Sequence, residues 1–238
     1  MPDTLQDLLM MAAPTPDRPL LGVMVLVVED SRYACDALRL ICQRSGARIR
    51  RAESLASATR HLRAYRPRVA IVDLGLPDGS GLSLIAQLAK ADPRIDAIIA
   101  TSGDDTLTAD AMEAGADIFL PKPLSSVSAF QATVLGLLPK ENRPARLAIP
   151  SEDEVRPDPV ALRDDLLLAV HLLATDPDCA TLDYVAGFLG GLAQSAVDAL
   201  LRIPADRAAE LCAVAPSVTA EWRIAARNEE RIGVLSEV

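Results

Sequence analysis

A short apolar run, Val69-Ala-Ile-Val72, leads directly into Asp73 and the turn-forming stretch Leu74-Gly-Leu-Pro-Asp-Gly-Ser-Gly81. Three of the four apolar residues are β-branched, which is typical of a buried strand, and the Pro and Gly residues that follow indicate its end. An unpaired carboxylate is costly to bury, so Asp73 does not fit in the core of the protein. We therefore expect Asp73 at the carboxyl edge of a sheet, where open α/β folds bind their ligands.

Two other predicted strands are also followed by charged residues. The run Val23–Val28 is followed by Glu29 and Asp30, and the run Ile118–Leu120 is followed by Lys122 between two prolines. Carboxyl ends of parallel strands meet at one edge of a sheet, so these side chains are expected to converge near Asp73.

Strand and helix patterns alternate five times between residues 20 and 140. Alternation at this spacing predicts βαβ units, a parallel sheet and right-handed crossovers. The predicted strands are Val23–Val28, Arg48–Ala52, Val69–Val72, Ala97–Ala100 and Ile118–Leu120. The predicted helices lie near 32–45, 54–65, 81–91, 105–114 and 125–138, with Ser54 and Ser125 as candidate N-caps.

The rest of the chain divides into a short N-terminal part and a helical C-terminal part. Residues 1–19 are predicted to form an amphipathic turn and a Pro-rich tether, and residues 141–158 a Pro-rich acidic linker. Residues 159–238 show helical periodicity without strands, which predicts a small all-α domain. Its predicted helices are 159–174, 179–202, 205–214 and 217–231.

Charge is distributed unevenly along the chain. The first 150 residues hold 17 basic and 17 acidic side chains, whereas residues 151–238 hold seven Arg, no Lys and 16 acidic side chains. A DNA-binding output domain usually shows a basic surface, so this balance argues against nucleic acid as a partner. The acidic N-terminus and the short apolar runs predict a cytoplasmic protein without a membrane span.

The residues at the predicted sheet edge suggest phosphoryl chemistry. Three converging acids, Glu29, Asp30 and Asp73, repel each other unless a cation is present, and Mg²⁺ is the natural candidate because it prefers oxygen ligands. A carboxylate beside Mg²⁺ and Lys122 can accept a phosphoryl group as an acyl phosphate. The hydroxyl of Thr101, which follows the predicted fourth strand, could then contact a phosphoryl oxygen.

Residues 20–140 resemble the receiver domain of bacterial two-component response regulators, over about half of the chain. The resemblance depends on four motifs in order, at the ends of strands 1, 3, 4 and 5. They are Val-Leu-Val-Val-Glu29-Asp30-Ser, Ile-Val-Asp73-Leu-Gly-Leu-Pro77-Asp-Gly-Ser-Gly, Ile-Ile-Ala-Thr101-Ser and Phe119-Leu-Pro-Lys122-Pro123.

The resemblance implies a fold and a set of roles. The fold is the flavodoxin-like, doubly wound five-stranded parallel sheet of order 2-1-3-4-5. Asp73 would be the phosphoacceptor, and Mg²⁺ would be held by Glu29, Asp30, Asp73 and the backbone carbonyl of Gly75. Thr101 and Lys122 would contact the phosphoryl group, and Phe119 would be the aromatic residue that swings inward on activation. Ser102 and Gly75 depart from the usual family residues beside the phosphoryl site, which bears on the lifetime of the acyl phosphate.

Simpler structural interpretations remain for individual residues. Asp73 and Lys122 could form a structural ion pair at a strand edge, and Phe119 could belong to the core. His171 has wholly apolar flanks, which favour a packed or edge histidine over a phosphotransfer site.

The helix predicted at 124–138 carries no charged residue, whereas a solvated helix normally has a charged face. It is therefore expected to be covered, by the C-terminal helices or by a second copy in a homodimer. An exposed helix that is polar but uncharged is the alternative.

The resemblance implies a response regulator that receives its phosphoryl group from a histidine kinase or a phosphotransfer protein. Its output would be protein–protein contact by the C-terminal helices, and it would not be an enzyme beyond self-catalysed aspartyl phosphorylation and dephosphorylation. The main alternative is a DNA-binding transcriptional regulator with an unrecognised helix-turn-helix in residues 159–238. An enzymatic output and a relay through His171 are further alternatives, for which the sequence offers no motif.

Overall fold

The structure is a computed structural model that describes residues 13–139, 144, 147–148, 150, 153–175 and 177–200. Five parallel strands form its central sheet in the order β2-β1-β3-β4-β5, which confirms the predicted flavodoxin-like topology. The strands are β1 (Met24–Val28), β2 (Arg48–Ala52), β3 (Val69–Asp73), β4 (Ala97–Ser102) and β5 (Ile118–Pro121). A small antiparallel pair, Gly75–Leu76 with Gly79–Ser80, follows β3 and was not predicted.

Seven α-helices complete the described part of the chain. They are α1 (Arg32–Ser45), α2 (Leu55–Ala64), α3 (Gly81–Lys90), α4 (Thr108–Ala114), α5 (Val127–Leu137), α6 (Pro159–Leu173) and α7 (Cys179–Leu200). A 3₁₀ turn, Asp105–Leu107, occupies the first part of the helix predicted at 105–114. The helices predicted at 205–214 and 217–231, and the turn predicted near residue 5, lie outside the described residues.

Alternate residues of the central strands supply two separate cores, as expected for a sheet covered on both faces. Val25 and Val27 face the layer formed by α1 and α5. Leu26 and Val28 face the layer formed by α2, α3 and α4. These four residues of β1 are fully buried, because both faces of the strand are covered, and the strand is therefore a continuous apolar run and not an alternating one.

Of the two predicted N-caps, Ser54 is confirmed and Ser125 is wrong. Ser54 caps α2, because its hydroxyl oxygen accepts a hydrogen bond from the Ser57 amide. The cap of α5 is Ser126 and not Ser125, since the Ser126 hydroxyl oxygen accepts from the Ala129 amide. The Ser125 carbonyl instead accepts a hydrogen bond from the amide of Val155, which attaches the segment before α6 to the start of α5.

Helices α6 and α7 form a hairpin that packs on the α/β part of the chain. Their shared apolar cluster includes Tyr33 of α1, whose side chain is only 3% exposed. In the described residues this hairpin contacts α1 and the turn after β3, and it does not cover α5. The outer face of α5 is exposed and consists of small uncharged residues, namely Ser128, Ala129, Ala132 and Gly136. No helix in the described ranges combines the length and apolar character needed to cross a membrane.

Gly81, the first residue of α3, lies so close to the β3 backbone that a side chain cannot fit. A Cβ atom there would stand 2.1 Å from the carbonyl oxygen of Asp73, whereas a Cβ on Gly136 would meet no described residue within 4 Å. We expect Gly81→Ala to lower the free energy of unfolding by about 1–3 kcal/mol through overpacking. Gly136→Ala should raise it by up to about 1 kcal/mol through helix propensity. Urea denaturation of both variants checks this pair, and changes of equal sign would contradict it.

Candidate functional site

The carboxyl edge of the sheet brings together the residues that the sequence predicted to converge. β3 and β4 are in register so that Asp73 pairs with Thr101. On the far side of β4, the Lys122 amide donates a hydrogen bond of 3.0 Å to the Ser102 carbonyl. Glu29 continues β1, where its amide donates to the Ala52 carbonyl of β2. Four strands therefore end around one point.

Three carboxylates form the centre of this site. One oxygen each of Glu29, Asp30 and Asp73 lies within 4.8 Å of the other two. Glu29 and Asp73 are almost fully buried, and Asp30 is partly exposed. The Ser31 amide holds two of the acids in place by hydrogen bonds to Glu29 Oε1 (3.2 Å) and Asp30 Oδ1 (3.0 Å).

Lys122 is the cation of the site. Its Nζ lies 2.8 Å from Glu29 Oε2 and 3.2 Å from Asp73 Oδ1, and its side chain is 9% exposed. One positive charge therefore faces three carboxylates, which leaves the cluster short of positive charge.

The protonation behaviour of the site reflects this shortage. The pKa of Asp73 is raised to about 8, first by burial and then by the Glu29 carboxylate, against the opposing effect of Lys122. The pKa of Asp30 is raised to about 6 for the same two reasons. Burial alone lowers the pKa of Lys122, but the carboxylates of Glu29 and Asp73 outweigh it, so that this pKa lies above its ordinary value. A second positive charge would favour the ionised acids.

The donor set fits a hard divalent cation. All three side chains offer carboxylate oxygens, which Mg²⁺ prefers, and their spacing allows them to share one ion. Gly75, whose backbone carbonyl the family resemblance implies as a further ligand, lines the same pocket. The predicted Mg²⁺ site is thus chemically consistent with the residues present.

We expect Mg²⁺ to raise the melting temperature more at about pH 8 than at about pH 5.5. The acids with raised pKa bind more protons in the folded than in the unfolded protein, so folding stability falls as the pH rises from about 4, up to about 6 for Asp30 and about 8 for Asp73. A cation that binds the ionised carboxylates restores this stability at high pH, whereas at low pH it must first displace protons. Thermal melts with and without MgCl₂ at both pH values measure the effect, and equal shifts would contradict it.

The last two predicted site residues, Thr101 and Phe119, lie in β4 and β5. The Thr101 side chain is 1% exposed, and its Oγ1 has no hydrogen-bond partner among the described residues. A buried hydroxyl without a partner is uncommon and is consistent with a ligand oxygen as its missing acceptor or donor. Phe119 is partly buried against the core on the α2–α4 face. Its packing agrees with a core role, and the switch role remains a prediction.

Two residues that sequence reasoning missed come from the C-terminal hairpin. The Tyr184 hydroxyl of α7 donates a short hydrogen bond to Asp30 Oδ2. Asp165 of α6 is 1% exposed and accepts hydrogen bonds from the Ser31 hydroxyl (2.8 Å) and from the amides of Arg32 (2.9 Å) and Tyr33 (3.0 Å). A carboxylate is favourable at this position because it accepts from unpaired amides at a helix N-terminus.

Helix α7 also forms one wall of the site. A pocket of about 280 Å³ lies between the carboxyl edge of the sheet and the surface of α7. Its walls include the three acids and Lys122 on one side, and on the other side residues of α7, among them Gly187, Gly190 and Gly191. His171 lies exposed on α6 and is not part of this wall.

Known proteins match this chain in its α/β part. The family model described as the response regulator receiver domain matches residues 25–147. The virulence transcriptional regulatory protein PhoP of Salmonella typhimurium (strain LT2) is 36% identical over 100 residues, which is 42% of this chain and 45% of that protein. The transcriptional regulatory protein PhoP of Escherichia coli O157:H7 gives the same identity and coverage.

Among solved structures, a putative response regulator from Chloroflexus aurantiacus J-10-fl matches with a TM-score of 0.45 at 24% identity. The match covers 48% of this chain and 96% of that one. The chain spans about 45% of the length of the curated relatives it matches.

Proposed function

This chain belongs to the response regulator receiver family, and from that premise we propose that Asp73 accepts a phosphoryl group from a histidine kinase or a phosphotransfer protein. The observation that carries the proposal is the buried cluster of Glu29, Asp30 and Asp73 around Lys122 at the carboxyl edge of the sheet. The proposed output is contact between the helical C-terminal region and another protein.

In the proposed transfer, a carboxylate oxygen of Asp73 attacks phosphorus. The bond between phosphorus and the donor nitrogen breaks, and its electron pair stays with the imidazole of the donor. Lys122 Nζ lies 3.2 Å from Asp73 Oδ1 and can pair with a phosphoryl oxygen after transfer. A divalent cation held by Glu29, Asp30 and Asp73 would neutralise charge on the phosphoryl oxygens.

In the proposed reverse step, water attacks phosphorus and the bond to the Asp73 oxygen breaks, which releases inorganic phosphate. The Thr101 hydroxyl, which has no hydrogen-bond partner among the described residues, can donate to a phosphoryl oxygen and so distinguish the two states. We propose no enzymatic activity beyond this self-catalysed gain and loss of phosphate.

The test is phosphorylation of the full chain by acetyl phosphate in the presence of Mg²⁺. Intact mass spectrometry should show the addition of one phosphoryl group, which Asp73→Asn should prevent because an amide does not attack phosphorus. Asp105→Asn is the matched control, since it removes an exposed acid in the loop after β4. Phosphorylation of the Asp73→Asn variant at the wild-type level would refute the assignment of Asp73.

A DNA-binding output is the second candidate, favoured by the names of the PhoP relatives. Their similarity to this chain covers 100 residues, which is 42% of this chain and 45% of each relative. The acidic balance of residues 151–238 argues the other way. Retention on random duplex DNA that weakens with salt would support the DNA-binding candidate. A lack of retention with and without phosphorylation would favour protein contact.

A further inference from the structure

The end of the receiver sheet is covered by a helix from the same chain. Tyr184 and the glycines of α7 lie over the acids and Lys122. Because both oxygens of Asp30 are engaged, one by the Ser31 amide and the other by the Tyr184 hydroxyl, the helix competes directly for a group that a cation would use.

At Gly191 the contact of α7 with the site is close because this residue has no side chain. A Cβ placed on Gly103 would stand 2.8 Å from the Cα of Gly191. On the other side, a Cβ on Gly191 would lie 3.9 Å from Nζ of Lys122. Helix α7 therefore reaches both the loop after β4 and the lysine after β5.

The hairpin is held in this position from two directions. Asp165 accepts three hydrogen bonds from the start of α1. The apolar cluster of α6 and α7 continues into α1 through Tyr33. The Tyr184 contact is thus one part of a docked unit and would have to break for the hairpin to move away from the acids.

We propose that the hairpin α6–α7 and a divalent cation compete for Asp30, so that Tyr184 weakens cation binding and cation binding loosens the hairpin from the receiver. This inference rests on the proposed function, since it assigns regulation to the same site. Phosphorylation, which needs the cation, would then require displacement of α7. The hairpin acts as an intramolecular cover whose removal the cation favours.

The first test is calorimetric titration of the full chain with MgCl₂. Tyr184→Phe removes only the competing hydroxyl and should tighten Mg²⁺ binding about tenfold, the equivalent of about 1.4 kcal/mol, since hydrogen bonds to charged groups are worth this much. Tyr65→Phe is the matched control, because the Tyr65 hydroxyl lies away from the site and has no hydrogen-bond partner among the described residues. Equal Mg²⁺ affinity of the two variants would overturn the proposal.

A second variant separates the helix from the site without changing any acid. Gly103→Ala places a methyl group against the Gly191 backbone and should also tighten Mg²⁺ binding, whereas Gly136→Ala should leave it unchanged. Hydrogen exchange provides an independent readout. Mg²⁺ should speed amide exchange in residues 179–196 of the wild type, and protection that is unchanged or increased would overturn the proposal.

The outcomes separate this inference from the proposed function. If Tyr184→Phe bound Mg²⁺ with wild-type affinity while Asp73 was phosphorylated normally, only the proposed competition between the hairpin and the cation would be overturned. Absence of Mg²⁺ binding and of phosphorylation in every variant would overturn both.

Discussion

Replacement of Lys122 by Met is expected to lower the free energy of unfolding by about 3 kcal/mol at neutral pH without divalent cations. The ammonium group is the only positive charge within 4 Å of the Glu29 and Asp73 carboxylates among the described residues. Removal of one partner of a buried ion pair costs about 3–5 kcal/mol because the other charge stays buried and unpaired. The lower end applies here, since the pKa of Asp73, which burial raises to about 8, means that this carboxyl group already carries a proton in most molecules at neutral pH.

Lys90→Met is the matched control for that variant. Lys90 lies exposed at the end of α3 and makes no ion pair among the described residues, so the same change should alter stability by less than about 0.5 kcal/mol. Urea denaturation of both variants measures the difference. If Lys122→Met unfolded at the same urea concentration as Lys90→Met, the ion-pair cluster would not contribute to the stability of the fold.

Asp73→Asn is expected to have the opposite effect on stability while it removes the phosphoacceptor. A carboxyl group whose pKa is raised in the folded protein destabilises the fold at every pH above its unfolded pKa, and the cost grows until the folded pKa is reached. The amide removes this cost, so we expect a gain on the order of 2 kcal/mol at about pH 8 that declines as the pH falls toward 4.

Denaturation of wild type and Asp73→Asn across this pH range, without divalent cations, checks the sign and the slope. Asp105→Asn, which changes an exposed acid, should show no comparable slope. A loss of stability in Asp73→Asn, or a gain that did not depend on pH, would contradict the raised pKa of Asp73. The expected result implies that this protein keeps its phosphoacceptor at the expense of fold stability.

The sheet and the acidic site were predictable because each depends on a local signal. The predicted strands agree with the structure within one or two residues, and parallel topology places the charged residues at their ends at the sheet edge. Convergence of Asp73 with Lys122, 49 positions apart in the chain, therefore follows from strand ends alone.

The position of the C-terminal hairpin was not predictable in this way. Helical periodicity identifies the apolar residues of α6 and α7 but does not specify which surface they cover. The expected cover of the uncharged helix, now α5, does not come from this hairpin in the described residues. Asp165 and Tyr184 have no sequence signal of their own, although the glycines at 187, 190 and 191 are compatible with close backbone contact.

Asp165 caps α1 from the far side of the Pro-rich linker. The linker therefore separates two parts of the sequence, but these parts are not expected to fold independently of each other. Ser31 begins this helix, holds Glu29 and Asp30 through its amide, and donates its hydroxyl to a carboxylate 134 positions later. A fragment that ends at the linker would expose the Tyr33 ring and leave the amides of Arg32 and Tyr33 without that carboxylate. The excised receiver would therefore differ from the receiver in the whole chain at the residues that carry its chemistry.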